Sequence, residues 1–259
     1  MAMVTLKNPS PVVERGGQRT SGGSQRWLKS ETAQKYGCGL VAATDLLLYL
    51  HRYGEGTSDF FRGIPEGPIP WEVYDYCADR LRKRYLPLLP PFGLNAWVLA
   101  GGLNRYFREY RLPCRARWGV PPGRLWQAME SMLVRDIPVI LCIGVNFPFP
   151  RHKLGLYQGE GHCEAGATRA HYVTVTGLDK DWMRISSWGQ IYDIRREEFD
   201  RYRRWHSCGF YTNLVWIKRT PSPAAAQRPQ ALPPRRSAPN GCAKAYVVPG
   251  VGRCNRRKA

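Results

Sequence analysis

An α+β fold is predicted for this chain of 259 residues. Three observations lead there. Long segments with apolar residues at helical spacing fill the first half. The second half holds short runs of β-branched and aromatic residues bounded by Gly and Asp turns. The two kinds are segregated rather than alternating, which argues against a doubly wound parallel sheet. A hydrophobic share of 43% and nine tryptophans are enough for one sizeable core.

Residues 1–25 are rich in Gly, Ser, Pro and Gln and read as a disordered arm. The core domain is expected over 26–218. Within it, residues 38–52 are apolar nearly all round, the mark of a buried helix, and the run stops around Gly54 and Gly56. In "PWEVYDYCADRLRKRY" (70–85), Pro70 is a helix-start signal, and Val73, Tyr76, Cys77 and Leu81 form an apolar set. Residues 94–110 and 121–136 read as two further helices. Strands are expected at 137–145, 170–178, 182–188, 191–194 and 210–217, forming a C-terminal antiparallel sheet. The segment 146–170 shows no clear structure. Loops this long in a compact domain are usually functional or disordered, and its place predicts a cleft wall or lid. Residues 219–259 are rich in Pro, Ala and Arg without a hydrophobic period, so a disordered basic tail is expected.

The formal net charge of +19 first suggests a nucleic-acid partner. Its distribution weakens that reading, because the tail from 219 carries +9, the arm +2 and the core only +8. Nucleic acid is therefore expected at most weakly, through the tail. The eight cysteines show no CxxC and no zinc-ribbon spacing, and His162–Cys163 has no second ligand pair nearby, so neither metal nor cofactor is expected. No secretory h-region and no apolar stretch of membrane-spanning length is visible, and a reducing cytoplasm fits best.

Chemistry concentrates at "KYGCGLVAATDLLLYL" (35–50). Cys38 stands between two glycines at the start of the buried helix. Free backbone N–H groups and the positive end of the helix dipole there favour thiolate over thiol. The glycines permit a tight turn and the approach of a substrate carbonyl. Of the five histidines, His171 opens an alternating strand, "HYVTVTG", from which its ring can face a cleft while Val173 and Val175 fill the core. His51 falls at the far end of the Cys38 helix, His152 and His162 in the long loop, and His206 in a charged segment. Asp45, in the buried helix, requires a partner.

Cys38 before a buried helix, His171 on a strand 133 residues later, and "SSWGQ" on the next strand together resemble a papain-like cysteine peptidase. The order from "GRLWQAMESMLVRDIPVILCIG" to "AHYVTVTGLD" is similar to the bacterial double-glycine-peptidase-like, bacteriocin-processing branch. The resemblance implies a helical subdomain carrying the nucleophile helix and an antiparallel sheet carrying the histidine. It implies Cys38 as nucleophile, His171 as base, and an upstream glutamine holding the oxyanion, for which Gln34 is the nearest match. Where the family places Asn or Asp to orient the histidine, this chain has Ser186 and Ser187. Alignment on Trp-Gly selects Ser186, whereas the alternation Met183, Ile185 points Ser187 inward; Gln190 or Asp193 are other candidates. The implied function is thiol-dependent hydrolysis of a peptide or amide bond in a peptide or protein substrate. A catalytically weak or inactive binding protein on the same fold, and another acyl transfer of amidase or transglutaminase type, are the alternatives.

Overall fold

The computed structural model describes residues 3–54, 58–144 and 152–220. The expected tail therefore lies almost wholly outside the described residues. The chain starts with three short strands, β1 (Val4–Thr5), β2 (Val12–Arg15) and β3 (Gln18–Ser21). Helices α1 (Glu31–Tyr36) and α2 (Cys38–Tyr53) follow, then β4 (Ile69–Pro70), α3 (Trp71–Arg84) and α4 (Ala96–Glu109). The remainder runs β5 (Cys114–Trp118), α5 (Leu125–Val134), β6 (Val139–Ile143), β7 (Leu154–Gln158), β8 (Cys163–Thr168), β9 (His171–Leu178), β10 (Trp182–Ser187), β11 (Gln190–Arg195), α6 (Arg196–Trp205) and β12 (Asn213–Arg219).

The principal sheet has the order β5-β12-β6-β9-β10-β11-β7-β8, and every pairing in it is antiparallel. β6 pairs with β9 from Ile143↔His171 to Val139↔Val175; beyond that point β1 takes its place, with Thr5↔Gly177 and Val4↔Leu178. α2 packs on β9 and β6, and every residue from Gly39 to Leu50 is buried. That is why its apolar residues wrap the whole helix rather than one face. The two buried polar side chains in it are satisfied locally. Thr44 donates to the Leu40 carbonyl at 2.8 Å, and Asp45 accepts from Gly23 N–H and Tyr74 O–H.

The expected helices and strands coincide with α2–α5, β6 and β9–β12. Three expectations are corrected. Residues 1–25 are not an arm: β1 extends the principal sheet, and β2, β3 and β4 make a second one. The β2–β3 hairpin turns on Gly16 and Gly17, both at positive φ, the glycine pair a two-residue turn favours. The segment 146–170 holds a hairpin, β7 with β8, in its described part. β8 is exposed except at Thr168, so no hydrophobic alternation announces it. α6 was missed because only Phe199 and Tyr202 of its ten residues are buried, and eight of the rest are charged or exposed.

The N-terminal segment is held by a polar clasp. Lys7 N–H donates to Asp136 Oδ1 at 2.9 Å, Tyr49 O–H donates to the same oxygen at 2.5 Å, and Asn8 N–H donates to the Tyr49 oxygen at 3.2 Å. Replacing Tyr49 by Phe leaves the carboxylate short of one buried donor, and the expected loss of stability is about 1–2 kcal/mol. Urea unfolding of Tyr49→Phe measures it; an unchanged midpoint would show that the clasp contributes nothing.

Candidate active site

Two packed elements bring the chemistry together. Cys38 is the first residue of α2, with Gly37 as its N-cap, and His171 is the first residue of β9. The flanking glycines serve close packing. A Cβ on Gly37 would strike the Ala33 carbonyl oxygen, and one on Gly39 would lie 3.0 Å from the Tyr172 ring and 3.2 Å from Leu94 Cβ. Gly39 thus lets the start of α2 press against the start of β9. Ala170, at φ 48, turns the chain sharply before His171.

Cys38 and His171 line one cavity. Its other walls include Gln25, Asp45, Thr174, Ser186, Ser187 and Trp188. The centre of a water-sized sphere can move in only about 10 Å³ of it, room for about one water. His171 Nε2 lies 2.7 Å from Ser187 Oγ. Trp188 stacks on the imidazole at 4.3 Å between ring centroids and 19° between planes. The indole is held there by the β10–β11 turn, in which Trp188 and Gly189 both have positive φ, 49° and 76°. A bulky residue in the left-handed region is strained, and the surrounding packing holds it there.

Burial dominates the electrostatics. It lowers His171 to about 4. It raises the Cys38 thiol, an effect partly offset by the backbone N–H groups of Tyr172, Gly39 and Cys38 itself. The resting pair is therefore neutral thiol and neutral imidazole near pH 7, not a preformed ion pair. Asp45, on the same face of α2 as Cys38, Val41 and Ala42, is raised to about 7 by burial, against the lowering effect of its bonds from Tyr74 and Gly23.

The structure places the other sequence candidates as follows. Gln34 does not join the cavity: it is exposed, and its amide donates to the Leu28 carbonyl at 2.6 Å. Gln25 lines the cavity instead, its Nε2 donating to the Gln34 carbonyl at 2.9 Å and its buried Oε1 without a hydrogen-bond partner among the described residues. Sequence reasoning missed it because α1 separates it from Cys38 by thirteen residues and because it fell in the supposed arm. Ser186 lines the cavity but donates to the Ser21 carbonyl at 2.7 Å. Asp193 is paired with Arg184 at 3.1 Å and His162 at 3.5 Å, and Gln190 is exposed, so neither touches His171. The remaining histidines lie elsewhere. His51 accepts from Ser58 N–H, His162 stacks on Trp182, and His152 stacks on His206. Among the described residues no three His, Cys, Asp or Glu side chains are placed to hold a metal ion.

The supposed arm forms one wall of this site. Ser21 N–H donates to the Gly189 carbonyl at 3.0 Å, and with the Ser186 bond this fastens β3 to the β10–β11 turn. Gly23 and Gln25 follow directly, between that turn and α2.

No protein-family model matches the sequence, and no curated protein sequence does. Among solved structures, the fold is similar to that of a proposed C39-like peptidase from Bacillus anthracis. The TM-score is 0.43 and the identity 12%, over 76% of this chain and 94% of that one, a likeness too distant to assign a role to any residue.

His171 and Asp45 bias stability oppositely with pH. His171 takes up its proton near 6.5 when unfolded and only near 4 when folded, so acidification through that window favours unfolding. Asp45 takes up its proton near 7 when folded and near 3.8 when unfolded, so the same acidification favours the native state. In the wild type these effects largely cancel. Between pH of about 7 and about 4.5, His171→Phe is expected to gain about 2–3 kcal/mol relative to wild type and Asp45→Asn to lose a similar amount. Urea unfolding at both pH values decides it, and relative shifts of the same sign in both variants would contradict the assignment.

Proposed function

We propose that this protein is a papain-like cysteine peptidase or closely related amide hydrolase, acting through an acyl-enzyme on Cys38. The observation that carries this reading is the His171 Nε2–Ser187 Oγ hydrogen bond. It commits one ring nitrogen to the sheet and leaves Nδ1 for the cysteine lining the same cavity at a helix start. The absence of an Asn or Asp partner makes Ser187 the orienting residue, and Trp188 screens that bond from water on one ring face.

In this mechanism the Cys38 proton passes to His171 Nδ1 as sulfur attacks the substrate carbonyl carbon. The carbonyl oxygen becomes an oxyanion, held by the backbone N–H of Cys38 and by a Gln25 amide proton. Gln25 Nε2 carries two protons, and the bond to the Gln34 carbonyl uses one. His171 then gives its proton to the leaving nitrogen as the C–N bond breaks. A water, deprotonated by His171, attacks the acyl carbon, the C–S bond breaks, and His171 returns the proton to the Cys38 sulfur. Because the resting pair is neutral, His171 works as a general base during attack rather than beside a standing thiolate.

A second reading, the same cavity without turnover, draws support from that neutral pair and from a serine that brings no charge to the imidazolium. The two separate on one set of measurements. Iodoacetamide labelling of Cys38, followed by peptide mapping from about pH 5 to 9, is expected to slow sharply in His171→Ala. Hydrolysis of a fluorogenic peptide-amide library is expected to vanish in Cys38→Ser and to fall roughly ten- to a hundredfold in Ser187→Ala, which loses a hydrogen bond to a charged group. Labelling indifferent to His171 would remove the hydrolase reading and leave the binding protein.

A further inference from the structure

We infer that Asp45 is a positioning residue of this site, its carboxylate supporting protonated His171 through the hydroxyl of Ser187. The inference rests on the hydrolase reading above and supplies the charge that the sheet lacks at Ser187.

When His171 is protonated, both ring nitrogens are donors, so Ser187 Oγ must accept from Nε2. Its own proton is then free to donate. Among the described residues, Asp45 carries the one carboxylate lining the cavity that Ser187 also lines. Thr174 and Ser186 line the same cavity, which has room for about one water. Asp45 reaches this region from α2. A Cβ at Gly22 would lie 2.5 Å from Asp45 Oδ2 and 2.9 Å from Ser186 Oγ, which puts both side chains against the same backbone atom.

A structural role alone does not call for a carboxylate. Asp45 accepts from Gly23 N–H at 3.0 Å and from Tyr74 O–H at 2.8 Å. An asparagine oxygen would accept both without the cost of burying a charge. What asparagine cannot do is place negative charge at the floor of the cavity. The titratable groups that face Asp45 are Tyr74 from α3, with Cys77 behind it, Cys38 from its own helix and His171 from β9. Among the described residues no Lys or Arg lines the cavity. Asp45 is ionised above about pH 7 and neutral below it, so its support is present on the alkaline side and lost on acidification.

The test is the rate of Cys38 alkylation by iodoacetamide from about pH 5.5 to 8.5, in the full chain. Asp45→Asn is expected to label roughly tenfold more slowly than wild type near pH 8, the low end of what losing a hydrogen bond to a charged group costs. The difference should fade below pH of about 6, where Asp45 is neutral in the wild type. In a Ser187→Ala background, Asp45→Asn should add no further loss, because the connection is already cut. Equal rates at all pH values, a slowing that persists at low pH, or losses that multiply with Ser187→Ala would each overturn the inference. Should Asp45→Asn not fold, as read by circular dichroism, Tyr74→Phe replaces it. Removing that O–H is expected to move the alkaline rise in rate to higher pH, and an unmoved rise would overturn the inference. His171→Ala separates the two levels: if labelling ignores His171, the hydrolase reading falls and this inference with it, whereas a His171-dependent rate that ignores Asp45 removes this inference alone.

Discussion

The contact on which the site depends is the one between the first turn of α2 and the first residues of β9, made at Gly39 against Tyr172. α2, buried from Gly39 to Leu50, lies on the middle of the sheet, and β9 is the strand flanked by β6 and β10. Cys38 can then meet His171 only if the helix start comes down close to the strand start. A Cβ at 39 would crowd the Tyr172 ring at 3.0 Å and Leu94 at 3.2 Å, so the strand start would have to give way, and the cavity that Cys38 and His171 line has room for about one water. The remaining elements fix the orientation of what this contact brings together. β10 supplies Ser187 to the ring nitrogen, the β10–β11 turn supplies the Trp188 face, and β3 is fastened by one hydrogen bond to that turn and one to Ser186 of β10.

Much of this was legible in the sequence, for a physical reason in each case. α2 announces itself because a helix buried all round has no polar face, and β9 because β-branched residues recur with period two. Ser187 could be distinguished from Ser186 by the same alternation: Met183, Ile185 and Ser187 share a face, and the first two are fully buried. What was not legible has reasons too. β1 and β4 are two residues each and β8 is exposed, so no burial pattern marks them. Gln25 was hidden because its role depends on a path, from β3 past the β10–β11 turn, that no local spacing encodes. Gln34 is the nearest upstream glutamine in sequence, but it lies on the exposed side of α1, where its amide serves the Leu28 carbonyl. The glycine pair at 16–17 was a readable hairpin signal, overridden by the low-complexity composition around it.

Cys38, His171 and Asp45 show what burial does when no Lys or Arg among the described residues lines the walls. Each is pushed toward its neutral form: the thiol up, the imidazole down and the carboxyl up to about 7. The consequence is a resting site that holds at most one charge near neutral pH, on Asp45. Moving a proton from Cys38 to His171 in such a place separates charge in a dry environment, and the cost must be met by groups already pointed the right way. The N–H groups of Cys38, Gly39 and Tyr172 face the sulfur, and Ser187 faces the imidazole. On the sulfur side the help comes from fixed backbone dipoles; on the imidazole side it comes from a neutral hydroxyl. That asymmetry is where a buried anion lining the same cavity has its effect. With a negative charge already in the cavity, forming imidazolium brings a cation to an anion rather than isolating one, and the serine serves as the connection between them.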